Sequence, residues 1–166
     1  SRAVLRTKPG VLIVEHKLGF VMANAGIDHS NVAQSHGDPT VLLLPENPDA
    51  SARALRDDLR HLCGVDIGIV INDSFGRAWR NGVTGTAIGV CGIPALVDMR
   101  GQLDRGGHPL KITRIAAADE LAAAASLLMG QAAESVPAVL VRGFPYVLRD
   151  GSVQELLRPR DEDLFR

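Results

Sequence analysis

Three polar groupings in this 166-residue chain carry side chains suited to chemistry. In "ANAGIDHSN", Asp28 and Asn31 stand three residues apart behind the turn at Ala25-Gly26. In "INDSFGRAWR", an apolar run gives way to Asp73 and Ser74, with Arg77 and Arg80 close behind. In "MGQAAES", Gln131 and Glu134 are one helical turn apart near the end of an alanine-rich run. Carboxylates and hydroxyls are hard oxygen donors suited to Mg²⁺ or Mn²⁺, which take few protein ligands and complete their shell from water and phosphate. Two aspartates from separate loops could therefore hold a metal against a nucleotide polyphosphate. The same residues also suit turns that bond their own backbone, and Gln131 and Glu134 suit a solvated helix end. Spacing leaves both readings open.

The remaining motifs decide less. Arg77 and Arg80 could bind anionic oxygens, or neutralise Asp73 and lie over Trp79. The glycines of "NGVTGTAIGVCGI" allow close approach of a ligand, or mark bulges and tight turns. They match neither a P-loop nor a dinucleotide fingerprint. His16, His29, His36, His61 and His108 show no zinc spacing, and only His29 neighbours the candidate acids. No nucleophile elbow or catalytic cysteine motif is present. Cys63 and Cys91 are far apart and read as reduced core thiols of a cytosolic protein.

The elements that must position these groups mix strand and helix signals without strict alternation. "VLIVE" (11–15), "VLLLP" (41–45), "VDIGIVI" (65–71) and "PAVLVRG" (137–143) read as strands, with shorter strand-like pieces in "TAIGV" and "PALVDMRG". Loops rich in Asn, Asp, Ser, His and Gly run from 24 to 38. A helix is expected after Asp49 or Ser51 as cap, with Ala52, Leu55, Leu59, Leu62 and Cys63 on one face and Gly64 at its end. An alanine-rich helix is expected over 117–129, with a bend or end at Gly130. Val65–Ile71 should be a strand covered on both faces, ending at a loop that presents Asp73 and Ser74. The expected class is α/β (mixed α+β), a mixed sheet flanked by helices, with a doubly wound sheet as one arrangement.

Composition sets limits on function. The chain is 46% hydrophobic and 22% charged with net charge −1, so bulk charge offers no handle for nucleic acid or a membrane surface. No apolar run is long enough to span a bilayer, and no signal peptide is visible.

Taken together, "GFVMANAGIDHSN", "VINDSFGRAWRNGVTGTAIGVCGIPAL" and "LLMGQAAESVPAVLVRG" resemble, in order and spacing, the coenzyme F420-0:L-glutamate ligases (F420 gamma-glutamyl ligases). The resemblance runs from about Val11 to Arg142. It implies a GTP-dependent amide ligase that attaches L-glutamate to F420-0 and then adds gamma-linked glutamates. It implies divalent manganese or magnesium, potassium in some members, a mixed α/β fold and an intertwined homodimer in the cytoplasm. It also implies site residues. Asp28, Asp73, Ser74 and Gln131 would be metal ligands, and Asn31 would contact nucleotide. Met129, Gly130, Gln131, Ala132, Ala133, Glu134, Ser135 and Val136 would form the GTP-binding stretch. Arg77 and Arg80 are assigned to orienting the acceptor or glutamate, because forked guanidinium donors suit carboxylate and phosphate.

Family members carry further sequence before the segment that begins here. On that basis residues 1–150 are expected to be the C-terminal portion of a ligase domain, and 151–166 a charged tail or linker. The tail resembles the connector to a flavin-binding domain in some bacterial members. The alternatives are a metal-dependent nucleotide phosphohydrolase and a non-catalytic fragment or binding module.

Overall fold

The computed structural model describes residues 3–33 and 39–163. Strands Ala3–Lys8 (β1), Val11–Glu15 (β2) and Val21–Ala23 (β3) pair antiparallel in the order β1-β2-β3. Pro9-Gly10 reverses the chain between β1 and β2, with Gly10 at φ +79, a conformation that glycine adopts freely. The apolar run over 11–15 marks β2 in the sequence. β1 is half polar and mostly exposed, and its run gives no such signal.

Helix α1 spans Pro48–Cys63. Its cap is Asn47, neither Asp49 nor Ser51: Asn47 Oδ1 accepts the Ala50 N–H at 3.0 Å, and Pro48 takes the first helical position, where its missing N–H costs nothing. Gly64 ends the helix in the left-handed region, as expected. The apolar face is only partly covered. Ala52 is buried, but Leu55 and Leu62 are 49% and 77% exposed and Cys63 is exposed, so only Cys91 is a core thiol.

Strands Ile69–Arg77 (β4) and Arg80–Cys91 (β5) form a long antiparallel hairpin. Asp73 and Ser74 therefore lie inside a strand and not in a loop after one, and residues 65–68 precede it. The strand is half-buried along 69–75, not covered on both faces. Pairing passes from Ile71↔Gly89 to Asn72↔Ala87, so Ile88 is an extra residue that inverts the alternation of β5. Gly85 and Gly89 consequently face opposite sides. A Cβ at Gly89 would overlap the Pro48 carbonyl of α1, and one at Gly85 the Ala122 carbonyl of the second helix. These glycines admit helices, not a ligand.

Short strands Val97–Asp98 (β6) and Arg114–Ile115 (β7) pair antiparallel, and helix α2 spans Ala117–Met129, stopping at Gly130. The class is mixed α/β, with helices against both sides of the hairpin. Every strand pairing among the described residues is antiparallel, so no doubly wound sheet forms there. Residues 41–45 contribute one bridge, Asp28↔Leu42, and 137–143 no strand. Leu42, Leu43, Leu140 and Val141 are exposed. An apolar run becomes a strand only where a neighbouring strand takes its backbone N–H and C=O groups.

The core joins Phe20 and Met22 with Ala87, Ile88, Val90, Ile93 and Ala95 of the β5 region, Ala118 and Ala122 of α2, and Val153. An edge-on contact between Phe20 and Phe75, centroids 5.9 Å apart, ties the first sheet to β4. Val153 belongs to the 3-10 turn Val153–Leu156, capped by Ser152, so the stretch expected as a tail begins with a packed turn. Its last residues, 164–166, lie outside the described residues, as do 34–38 of the loop expected over 24–38. No helix among the described residues is long and apolar enough to cross a membrane.

Candidate functional site

An open cavity of about 1110 Å³ lies where the turn after β3, the edge of β4 and the end of α2 meet. Its walls include Asp28, Asn31, Asp73, Ser74 and every residue from 129 to 136. Residues 101 positions apart are brought into contact: Asn31 Nδ2 donates to the Ala132 carbonyl at 2.9 Å. Ser74 Oγ donates to Gln131 Oε1 at 2.7 Å. Arg77 and Arg80 do not join this wall. They pair across the hairpin tip, exposed, on either side of Trp79.

Strand periodicity explains how consecutive residues reach two walls. Side chains alternate along β4, so Asp73 shares the side of Phe75, toward the first sheet, while Ser74 shares the side of its partner Gly85, toward α2. The loops opposite hold unusual backbone. Asn24, Ala25, Asn31 and Ser135 have φ between 50 and 57. Such conformations cost on the order of 1 kcal/mol each and collect at ligand sites.

The two acids sit in different electrostatic settings. Asp28 Oδ1 accepts the Ser30 N–H at 2.8 Å and the Ser30 hydroxyl at 2.6 Å, and these bonds hold its carboxyl below the ordinary range. The turn expected for Asp28 is thus real, and it aims the carboxylate at the cavity. Asp73 is half-buried. Burial pushes its carboxyl up, the Ser74 N–H at 2.7 Å pulls it down, and the charge of Asp28 raises it again. A wall that holds two like charges, one desolvated, is stabilised by a cation between them.

The donor set fits a hard divalent ion. Asp28, Asp73, Ser74 and Gln131 each offer an oxygen donor, and among the described residues no lysine or arginine lines the cavity. No group of three or more His, Cys, Asp or Glu among the described residues gathers to hold a metal. The site therefore suits an ion that draws much of its shell from water and substrate, as Mg²⁺ and Mn²⁺ do.

Comparison with known proteins gives the family. The family model described as F420-0:Gamma-glutamyl ligase matches residues 1–143. The chain belongs to that family. It is 43% identical over 166 residues to the coenzyme F420:L-glutamate ligase of Methanococcus maripaludis strain C7, 45% over 168 to that of Methanothermobacter thermautotrophicus, and 42% over 166 to that of Methanocaldococcus jannaschii. Each alignment covers the whole of this chain and 65% of the relative. The chain thus spans somewhat less than two thirds of the length of these relatives.

Within this family member, two acids hold other elements in place through bonds that the sequence did not signal. Asp49 accepts the Val90 N–H at 2.7 Å and the Ser152 hydroxyl at 2.6 Å. Asp119 accepts the Ala87 N–H at 2.9 Å. Both stand in the first turn of a helix, the only hint a sequence could give. Ser30, which orients Asp28, is the nearest missed contributor to the cavity, and the local Asp-x-Ser spacing could have marked it.

Proposed function

We propose that this chain carries the metal- and nucleotide-handling part of a GTP-dependent ligase that joins L-glutamate to coenzyme F420-0 and then adds gamma-linked glutamates. The observation that carries the proposal is the convergence of Asp28 and Asp73 on one cavity whose far wall is the whole of 129–136. Joining a carboxylate to an amine is uphill in water. In the proposed reaction the acceptor carboxylate attacks the GTP gamma-phosphorus, releasing GDP and forming an acyl-phosphate. The glutamate amine then attacks the acyl carbon, expels phosphate and loses a proton as the amide forms.

Asp28, Asp73, Ser74 and Gln131 are the proposed holders of Mn²⁺ or Mg²⁺, with K⁺ as a further ion. Bound divalent ions would offset charge on the phosphate oxygens during transfer. Asp28 and Asp73 fix where positive charge collects, and Asn31 braces the 129–136 wall through the Ala132 carbonyl. Arg77 and Arg80, at the hairpin tip, meet an acceptor that extends past the cavity mouth. A homodimer is part of the proposal: Trp79 and Val83 of the hairpin and Leu62 of α1 expose apolar surface.

Mass spectrometry of F420-0 incubated with the chain, glutamate, GTP and Mn²⁺ tests the reaction. A glutamate-sized mass gain is expected. GTP turnover that needs neither F420-0 nor glutamate would instead mark a phosphohydrolase, and GTP left unbound in calorimetry would mark a binding module.

A further inference from the structure

The hairpin of β4 and β5 runs on past the cavity to a tip of unusual build. Ala78 and Trp79 join Arg77 to its register partner Arg80. Trp79, the chain's one tryptophan, is 88% exposed and sits at φ 63. A bulky side chain in that region is an outlier, since turn positions with positive φ favour glycine or asparagine. An indole so exposed gains little for the fold by burial to offset its backbone strain. Strain held without such a return points to a function of the side chain.

The cavity reaches almost to this tip. Phe75, Gly76 and Val83 are among its walls, and Gly76↔Val83 is the pair next to Arg77↔Arg80. Val83 is 55% exposed. Gly76 does not take a positive φ, and a Cβ on it would meet nothing within 4 Å among the described residues. Neither its backbone nor a neighbouring element therefore demands glycine, and its missing side chain leaves a bare stretch of strand between cavity and tip. Arg77 is four residues beyond Asp73, so at about 3.3 Å per residue the tip stands roughly 13 Å along β4 from that acid.

Three kinds of group are thus strung along one hairpin, and each suits a different part of one long molecule. The oxygen donors of the cavity suit a cation-bound reacting end. Guanidinium groups suit an anionic linker. An exposed indole face suits a planar heteroaromatic ring, which stacks on it.

We propose that Trp79 is the platform on which the planar ring of the acceptor stacks, with the ring at the hairpin tip and the reacting carboxylate in the cavity. The proposal rests on the ligase reading above for the acceptor, coenzyme F420-0, whose ring is a deazaflavin. It makes Trp79 a specificity residue: an acceptor is selected by its ring at one end and its carboxylate at the other, with Arg77 and Arg80 beside the anionic linker that joins them.

Calorimetric titration of the chain with F420-0, and with a ribityl deazaflavin that lacks the phosphate and carboxylate, tests this. Trp79→Leu should weaken the binding of both about tenfold, and Trp79→Phe, which keeps a ring, by less than about threefold. In the ligation assay Trp79→Leu should raise KM for F420-0 about tenfold and leave kcat and KM for GTP within about twofold, as the loss of uniform binding does. Equal binding of F420-0 by the parent and Trp79→Leu overturns the proposal, as does absence of F420-0 binding by the parent. A change of oligomeric state in Trp79→Leu, read by light scattering, makes the indole a dimer contact and overturns it too. If Trp79→Leu does not fold, the parent's own emission decides: a stacked deazaflavin must quench the one tryptophan, and emission undiminished at saturating F420-0 overturns the proposal. Trp79-dependent binding of deazaflavin without any ligation leaves the platform standing and removes the ligase function instead.

Discussion

Asp49 and Asp119 each stand in the first turn of a helix and accept backbone N–H groups of β5, whereas Asp28 and Asp73 turn their carboxylates toward a cavity. The four residues are chemically identical. Asp49 ties α1, Val90 and the Ser152–Val153 turn together, and Asp119 ties α2 to Ala87. Burial raises the carboxyl of Asp119 as it does that of Asp73, but Asp73 also feels the charge of Asp28. A buried acid alone is therefore no mark of function here. Two acids repelling across a common space, with no lysine or arginine on its walls among the described residues, are the distinguishing arrangement.

The contrast is broken most severely at Asp73. Asp73→Asn should lower metal-dependent glutamate addition at least about 100-fold in kcat, since one lost electrostatic partner of the transition state costs that much. Wild-type addition by this variant would remove Asp73 from the metal site. Asp49→Ala should act on the fold, lowering unfolding free energy by about 3 kcal/mol in urea titration, because the Val90 N–H loses a charged acceptor. Gly85→Ala presses a methyl group onto the Ala122 carbonyl and should cost about 2 kcal/mol by the same measurement.

The pH dependence sharpens the comparison further. Asp73 is more readily protonated folded than unfolded, so the metal-free chain loses stability as pH rises from the ordinary carboxylate range through Asp73's raised value. Asp73→Asn removes that loss. Urea midpoints of the two proteins should coincide below the ordinary carboxylate range and separate above it, the variant being the more stable. A variant less stable at neutral pH would show that Asp73 serves the fold as Asp49 does.

The smallest effect belongs to Asp98. Arg100 donates to both of its carboxylate oxygens and brings its carboxyl to about 2. Both side chains are well exposed, and the attraction is screened by solvent. Any contribution is present above the ordinary carboxylate range and fades as pH falls toward about 2. Asp98→Asn should leave the melting temperature unmoved, showing that a shifted acid without burial or a shared space does little.

Much of the site was legible because its signals are local. Asp28 sits in a turn motif, and Gly130 follows the last residue of an alanine-rich helix. Asp73 and Ser74 break an apolar run. The resemblance of three separated segments then linked them, which spacing alone left open. Arg77 and Arg80 look equally well placed in the sequence, but the hairpin carries them to its tip, away from the wall.

What the sequence determined by itself is the set of local choices: α2 over Ala117–Met129, the Gly64 stop of α1, β2, and the residue types able to bind a hard cation. These follow from propensity, capping and donor chemistry, each settled within a few residues. Tertiary structure alone decided which apolar runs found strand partners, why Gly85 and Gly89 must be glycine, and which aspartates face β5 and which face the cavity. Those outcomes depend on one register shift at Ile88 and on contacts between residues as far apart as Asn31 and Ala132. Asp73 and Ser74 line the candidate site because β4 runs straight through them, giving one residue to each side.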